Sequence, residues 1–115
     1  MGAVNLNGRK FVMVSSTASV VDPDTPTEFL YWEADGVVWG SYAGDTVTHG
    51  RFVGTRDGDQ VSIAYAHALK AGGTAGGKSS SRVEAGDDGL LRLVEEFTFD
   101  GDDTPHVSVC AEIPD

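Results

Sequence analysis

Glu95 is the residue whose position in this sequence most strongly suggests chemistry. In Leu90–Phe99 apolar side chains occupy the odd positions, and alternation along a strand carries Glu95 to the same inward face. A carboxylate on a core face is costly unless it is hydrogen-bonded, paired or hydrated. Two interpretations follow. Glu95 either makes a structural hydrogen bond, to Tyr42, Tyr65 or a serine-bearing strand, or it recognises a cationic or hydrogen-bonding group of a ligand.

Histidines offer a second kind of chemistry. His49, His67 and His106 lie on three different segments, so we expect no metal site and no cofactor. His67 falls on the inward face of its segment and could form an acid–base pair with Glu95. Such a pair must come within hydrogen-bond reach, and the two residues belong to strands separated by a third. An enzyme that uses Glu95 as its acid or base is therefore the third of our functional hypotheses.

Two loop motifs suggest ion or phosphate binding. Asp57-Gly58-Asp59 and the acidic stretch 100–103 resemble calcium loops, but neither has the spacing of an EF-hand or its closing glutamate, so we interpret both as turns. Gly72–Ser79 fits the phosphate-loop pattern, which requires a strand before it and a helix after it. The segment that follows is too short for that helix, and we interpret the glycine-rich loop as a mobile lid over a barrel mouth.

Turn signals divide the chain into short strands. Asp-Gly between apolar runs, as at Asp35-Gly36, is a strong hairpin signal. Repeated hairpins favour an antiparallel meander, and closure into a barrel removes exposed edges. The sequence predicts an all-β, single-domain (1–115), eight-stranded, up-and-down antiparallel β-barrel. The predicted strands are Lys10–Ser16, Glu28–Glu33, Val37–Ala43, Val47–Thr55, Gln60–Leu69, Lys78–Glu84, Leu90–Phe99 and His106–Ile113.

Alternation also predicts an outer face. With Val38, Gly40 and Tyr42 inward, Trp39 must point outward. An exposed Trp on a broad apolar face is typical of an interface, and we expect a homodimer or homotetramer. The alternative is an isolated surface Trp packed under Arg51. The predicted interface comprises Trp39, His49, Arg51 and Val53, with Phe29 and Tyr31 as further candidates.

Charge and composition exclude several partners. The 115 residues carry a formal net charge of −10, which repels a phosphate backbone and an anionic membrane surface, so we expect no nucleic acid or membrane partner. Cys110 is the sole cysteine and cannot form an intrachain disulfide. The first residues show no apolar h-region. We therefore expect a soluble, cytoplasmic protein.

Several segments, in order and spacing, resemble the successive strands of the avidin (streptavidin-type) family of eight-stranded barrels. They are ADGVVWGSYAG, GRFVG, VSIAY, SSRVEAGDDG and LVEEFTFDG. The resemblance extends from about Phe11 to Ile113. Within that family, the chain most resembles small bacterial avidin-like proteins. Some of those proteins carry an N-acetylglutamate synthase label. A β meander of this length contains no recognisable acetyl-CoA-binding helix N-terminus, so we expect no catalysis.

The resemblance implies roles for individual residues. Tyr42 matches the tyrosine that donates to the ureido oxygen of biotin, Tyr65 and Phe97 match pocket tryptophans, and Ser79 matches a hydroxyl donor. Ser81 stands where another aromatic residue belongs.

Other positions depart from the family pattern. Met13 stands where a polar ureido ligand is expected, and the last strand offers Ala111 or Glu112 where an aspartate is expected. Each missing partner of a buried urea costs about 1–3 kcal/mol, so we do not expect tight biotin binding.

The first hypothesis is therefore a non-catalytic barrel that binds a small polar or amphipathic molecule in its mouth. Its alternative is a structural or interaction protein with a filled barrel that acts through its outer oligomer face. An eight-stranded barrel permits either arrangement. The predicted pocket residues are Met13, Ser15, Tyr42, Tyr65, His67, Ser79, Ser81, Glu95 and Phe97.

Overall fold

The protein forms a closed barrel of antiparallel strands. The computed structural model describes residues 5–17, 24–86 and 88–113. Each strand pairs with its neighbour in sequence, and the last strand pairs with the first. The strands are β1 (Lys10–Ser16), β2 (Glu28–Ala34), β3 (Val37–Gly44), β4 (Val47–Asp57), β5 (Gln60–Leu69), β6 (Thr74–Ala85), β7 (Leu91–Phe99) and β8 (Asp102–Ile113). The prediction of an all-β, eight-stranded up-and-down barrel is confirmed. Within the described ranges, no helix has the length and apolar character needed to cross a membrane.

The hairpin turns have the backbone conformation that their residues favour. Asp35 and Gly36 have φ values of 53° and 78°. Positive φ at both central residues defines the two-residue turn whose twist matches the flanking strands. This turn holds β2 and β3 in a register that pairs Trp32 with Trp39. The turn therefore sets the position of the hairpin and determines which residues of β2 and β3 share a face.

Aromatic rings fill the barrel around its middle. Tyr31 packs against Phe11 with ring centroids 5.3 Å apart and against Phe52 at 4.6 Å. All three rings are buried. Offset and edge-on ring contacts at these distances stabilise a core beyond the area they bury.

The segment before β1 closes one end of the barrel. Leu6 is fully buried in the core cluster, and its amide donates to Glu33 Oε1 at 2.9 Å. The same carboxylate oxygen accepts from Arg56 Nη1 at 2.8 Å. Leu6 thus plugs the end at which the Asp35-Gly36 turn lies, and an ion pair with little exposure holds the plug in place. The opposite end remains open.

Strand β6 is longer than the sequence predicts. It begins at Thr74, so Gly76 and Gly77 lie within the sheet and only the residues before them form the turn. The mobile-lid interpretation of this glycine-rich segment is therefore wrong for Gly76 and Gly77. Because Gly72–Ser79 leads into a strand and not into a helix, the context required of a phosphate loop is also absent.

Two aromatic residues of β2 face the barrel interior, although they were expected on the outer face. Tyr31 is buried, and Phe29 lies on the same inward face, whereas Trp32 is 39% exposed. In the segment EFLYWEA both alternating sets contain large apolar side chains, so alternation alone cannot decide which faces the core. The expectation that Phe29 and Tyr31 join the outer face is wrong, and Trp32 occupies that face.

Candidate ligand-binding site

A cavity of about 320 Å³ lies at the open end of the barrel. Its lining residues come from β1 to β7, from the residue before β2 and from the turn between β3 and β4. The predicted pocket residues that line it are Met13, Tyr42, Tyr65, His67, Glu95 and Phe97. Lining residues that were not predicted to border a pocket include Ser16, Thr27, Phe29, Asp45, Phe52 and Phe99. Its size is at the lower end of the range for small-molecule sites.

Tyr42 and His67 form a hydrogen-bonded pair on one wall. The Tyr42 hydroxyl lies 2.7 Å from His67 Nδ1. The Tyr42 ring stacks on Phe29 with centroids 5.2 Å apart, and it packs over Gly50, where a Cβ would lie only 2.4 Å from the ring. Gly50 therefore allows the strands to bring Tyr42 into the cavity, and His67 fixes its hydroxyl.

Tyr65 occupies the adjacent wall. Its hydroxyl donates to the carbonyl oxygen of Thr98 at 2.9 Å, and its ring meets Phe97 edge-on at 6.4 Å. A side chain at Gly77 would clash with Thr98 O at 1.8 Å and with the Tyr65 hydroxyl at 2.7 Å. Because Gly77 has no side chain, the Tyr65 side chain can cross β6 and bring its hydroxyl to β7.

Glu95 provides the most deeply placed charge-bearing group of the cavity. Its Oε1 accepts a hydrogen bond from Ser108 Oγ at 2.9 Å. The hydroxyl of Ser79 lies near enough to influence Glu95, but among the described residues Ser79 Oγ has no partner in hydrogen-bond geometry. Leu93, one inward position closer to the plugged end, is buried. Glu95 therefore stands at the boundary between the apolar core and the cavity.

Burial controls the protonation of these groups. It raises the pKa of Glu95 above its usual value, and the hydrogen bond from Ser108, together with the nearby Ser79 hydroxyl, opposes that shift. Burial likewise raises the pKa values of Tyr42 and Tyr65, with a smaller contribution from negative charge nearby. It lowers the pKa of His67. At neutral pH the wall therefore presents neutral phenol and imidazole groups.

Two predicted pocket serines lie inside the barrel without bordering this cavity. Ser79 and Ser81 are buried on the inward face of β6, as alternation predicts, and Ser81 pairs with Glu95 across the strands. Neither lines the cavity. Their role in ligand binding remains a prediction.

Ser15 departs from the predicted face. It is exposed, and its neighbour Ser16 lines the cavity instead. The β1–β8 register shifts between Met13 and Ser15, and such a bulge adds one residue and reverses the alternation beyond it. The inward placement of Ser15 is therefore wrong.

The structure settles the register of β8. Glu112 points inward, where its Oε1 accepts from the Leu91 amide at 2.9 Å and its Oε2 pairs with Arg9 at 2.7 Å. Both Ala111 and Glu112 lie toward the plugged end, away from the cavity. Neither supplies the carboxylate that the family resemblance places beside the ligand.

Glu95 and His67 do not form the proton-transfer pair considered above. His67 Nδ1 is hydrogen-bonded to Tyr42, and Glu95 to Ser108. In the described part of the chain no hydrogen bond or ion pair links the two. The structure therefore shows His67 and Glu95 as two separately held groups.

The four predicted interface residues all lie on the outer wall. Trp39 is 41% and Val53 57% exposed, and they are direct partners across β3 and β4. With Trp32 and Val37 they form what we call the outer apolar patch. His49 and Arg51 are exposed farther along β4, beside a groove that Lys10 and Glu28 also border.

A larger open groove of about 540 Å³ also crosses the outer wall, bordered by Val53, Lys78 and Glu96 among others. We place the ligand site in the smaller cavity because aromatic rings enclose it and polar atoms converge on it.

Comparison with known proteins agrees with the barrel architecture. A family model described as an avidin-like protein matches residues 4–113. The comparison with curated proteins found no match. The comparison with solved structures found none either. Within the described residues, no three His, Cys, Asp or Glu side chains are grouped so that they could hold a metal ion.

Proposed function

The chain belongs to the avidin-like protein family, and from this we propose that it is a non-catalytic barrel that binds one small amphipathic molecule in its open end. The observation that carries the proposal is the mouth cavity of about 320 Å³. The plugged opposite end and the aromatic core below make this cavity the place where the barrel interior is accessible.

The lining supports an amphipathic occupant. Tyr42, Tyr65 and Phe97 supply flat apolar surfaces, whereas Glu95 and the Tyr42–His67 pair supply a few oriented polar atoms. Apolar walls with a small number of fixed polar groups are typical of small-molecule sites. Tyr42 is held by its hydrogen bond to His67 and Glu95 by that from Ser108, which supports fixed recognition groups over a proton-transfer pair.

Biotin is not the expected occupant. Met13 contributes a thioether where the family resemblance implies a polar ureido partner, and no carboxylate of β8 reaches the cavity. With about 1–3 kcal/mol lost for each unmet polar group of a buried urea, we expect biotin to bind weakly or not at all. Native mass spectrometry with and without biotin measures this directly.

The binding proposal is tested with a neutral aromatic probe, 2-phenylethanol, followed by two-dimensional NMR. We expect concentration-dependent shifts at Tyr42, Tyr65 and Phe97. Ala75→Phe should suppress them, because Ala75 lines the cavity and a phenyl ring there would fill it. The same substitution at exposed Ala66 on β5 is the matched control. Shifts on the outer wall alone, or an unchanged response in the Ala75 variant, would refute the proposal.

Self-association through the outer apolar patch is a second candidate property. Trp32 and Trp39 are cross-strand partners and about two-fifths exposed, at 39% and 41%. Adjacent exposed tryptophans are unusual on a surface that contacts only water, and aromatic residues are enriched at interfaces. We propose that this patch joins copies of the chain while the mouth cavity binds ligand.

A further inference from the structure

Among the residues that the structure describes, Glu95 has a hydrogen-bond donor in Ser108 but no counterion. Ser108 Oγ donates to its Oε1 at 2.9 Å, and Ser79 is the other hydroxyl that favours its charged form. Ion pairs elsewhere in the described residues join Arg9 to Glu112, Arg56 to Glu33, Arg82 to Glu84 and Arg92 to Asp88, and none involves Glu95. A buried carboxylate without a cation is costly in energy, so the fold maintains an unneutralised acceptor at the inner limit of the cavity.

The rest of the lining does not neutralise this carboxylate. Asp45 adds a second acidic group at the rim, and no Lys or Arg side chain is among the residues that line the cavity. His67 is the one lining imidazole; burial lowers its pKa, and its Nδ1 is engaged by Tyr42. The cavity is therefore negative in a molecule whose formal net charge is already −10. An anionic ligand would be repelled.

Aromatic faces surround the path from the mouth to Glu95. Phe97 and Phe99 meet edge-on at 5.6 Å, and Tyr65 contacts both at 6.4 Å. Aromatic rings attract cations through the negative potential of their faces, more strongly where water is excluded. Rings and an unpaired carboxylate together form an environment suited to an ammonium group attached to an apolar body.

We propose that the occupant of the mouth cavity is a monocationic amine with an aromatic or aliphatic body, whose ammonium group pairs with the Glu95 carboxylate. The inference depends on the binding function proposed above and adds the charge of the ligand. The ammonium group donates to Glu95 and supplies the missing counterion. Its apolar body lies between the rings nearer the mouth, where Tyr65 and Phe97 provide the walls.

The test compares three probes of nearly equal size: 2-phenylethylamine, 2-phenylethanol and 3-phenylpropanoate. Affinities are measured by isothermal titration calorimetry or NMR titration at pH 7.5 and low salt. We expect the amine to bind about tenfold or more tighter than the alcohol, because a charge-assisted hydrogen bond replaces a neutral one. The propanoate should bind most weakly.

Two variants test whether the charge of Glu95 causes the preference for the amine over the alcohol. Glu95→Gln keeps the shape and the acceptor for Ser108 but removes the charge, so the amine-to-alcohol ratio should fall to about one while binding of the alcohol persists. Glu96→Gln is the matched control. Glu96 is the next residue on β7, its side chain is exposed, and the substitution changes the net charge by the same amount. It should leave the ratio within about twofold of the wild-type value.

The outcomes separate the two proposals. Equal binding of amine and alcohol by the wild-type protein, or an amine preference retained in Glu95→Gln, would overturn the amine assignment and leave the binding function standing. Failure of all three probes to perturb the cavity would overturn both. Should Glu95→Gln not fold, the order of the three probes on the wild-type protein decides the question alone.

Discussion

Gly50 shows how one residue without a side chain determines where a functional group lies. An added methyl group would lie 2.4–2.6 Å from atoms of the Tyr42 ring. We expect Gly50→Ala to displace that ring, disrupt its 2.7 Å contact with His67 and destabilise the protein by about 1–3 kcal/mol. Chemical denaturation measures the loss. Tyr42→Phe removes the hydroxyl but leaves the ring in place, and should cost less.

A second residue-scale prediction concerns pH. Burial raises the pKa of Glu95 in the folded protein. As pH rises, the unfolded chain therefore ionises first, and the folded state is increasingly penalised until the pH exceeds the folded pKa. The penalty is about 1.4 kcal/mol for each pH unit that separates the unfolded and folded pKa values. Without added amine, the stability of Glu95→Gln relative to the wild-type protein, measured from pH 4 to pH 8, should therefore increase with pH and level off once the folded pKa of Glu95 is passed.

Thermal unfolding of both proteins across that range tests this expectation. Four buried groups couple to the Glu95 charge, but their pKa values are raised and they stay neutral over this range; they are Tyr31, Tyr42, Tyr65 and Cys110. His67 lines the same cavity and is present in both proteins. A difference in melting temperature that is flat with pH would mean that Glu95 titrates as it does in water.

At the scale of elements, β6 uses glycine for packing and not for motion. A Cβ at Gly77 would lie 1.8 Å from a backbone oxygen of β7, whereas one at Gly73 would meet nothing within 4 Å. Gly77→Ala should therefore cost about 2–3 kcal/mol or prevent folding, since the backbone cannot yield. Gly73→Ala should cost about 1 kcal/mol through its positive φ alone.

Urea denaturation of the two variants makes the comparison. Similar, small losses at both positions would support the lid interpretation that the strand assignment contradicts.

The same scale shows why prediction from sequence succeeded in some strands and failed in others. In β7 one alternating set is apolar apart from Glu95 and the other is mostly polar, so the inward position of Glu95 could be predicted. In β2 both sets are apolar, and Phe29 was placed on the wrong face. The bulge after Met13 that turns Ser15 outward leaves no sequence signal. The glycine-rich sequence around Gly77 is also typical of a flexible loop. Only the contact with the neighbouring strand β7 shows that Gly77 is closely packed.

For the whole molecule, the outer apolar patch predicts concentration-dependent association. Sedimentation equilibrium should show dimers or tetramers of the wild-type protein. Trp39→Asp should shift them to monomers, because it places a charge at the centre of the patch. Val14→Asp, at a 53% exposed position on β1, is the control and should assemble normally. A wild-type protein that stays monomeric at every concentration tested would exclude the patch as an interface.

Salt should strengthen that association. Each chain carries a formal net charge of −10, so copies repel one another at long range, and this repulsion is screened over about 10 Å at 0.1 M ionic strength. Raising salt from 0.02 to about 0.2 M should lower the dissociation constant. A dissociation constant that rises with salt would instead indicate that ion pairs hold the copies together.

The direction of β1 and β8 has a practical consequence for attaching the barrel to a surface. Lys10 pairs with Ile113 at the plugged end, and both strands run between there and the mouth. A tether joined ahead of Asn5 or beyond Ile113 would therefore leave from the side opposite the cavity. Immobilised by either route on a sensor chip, the molecule would present its opening to the flowing sample, and the tether itself would not obstruct the arriving analyte.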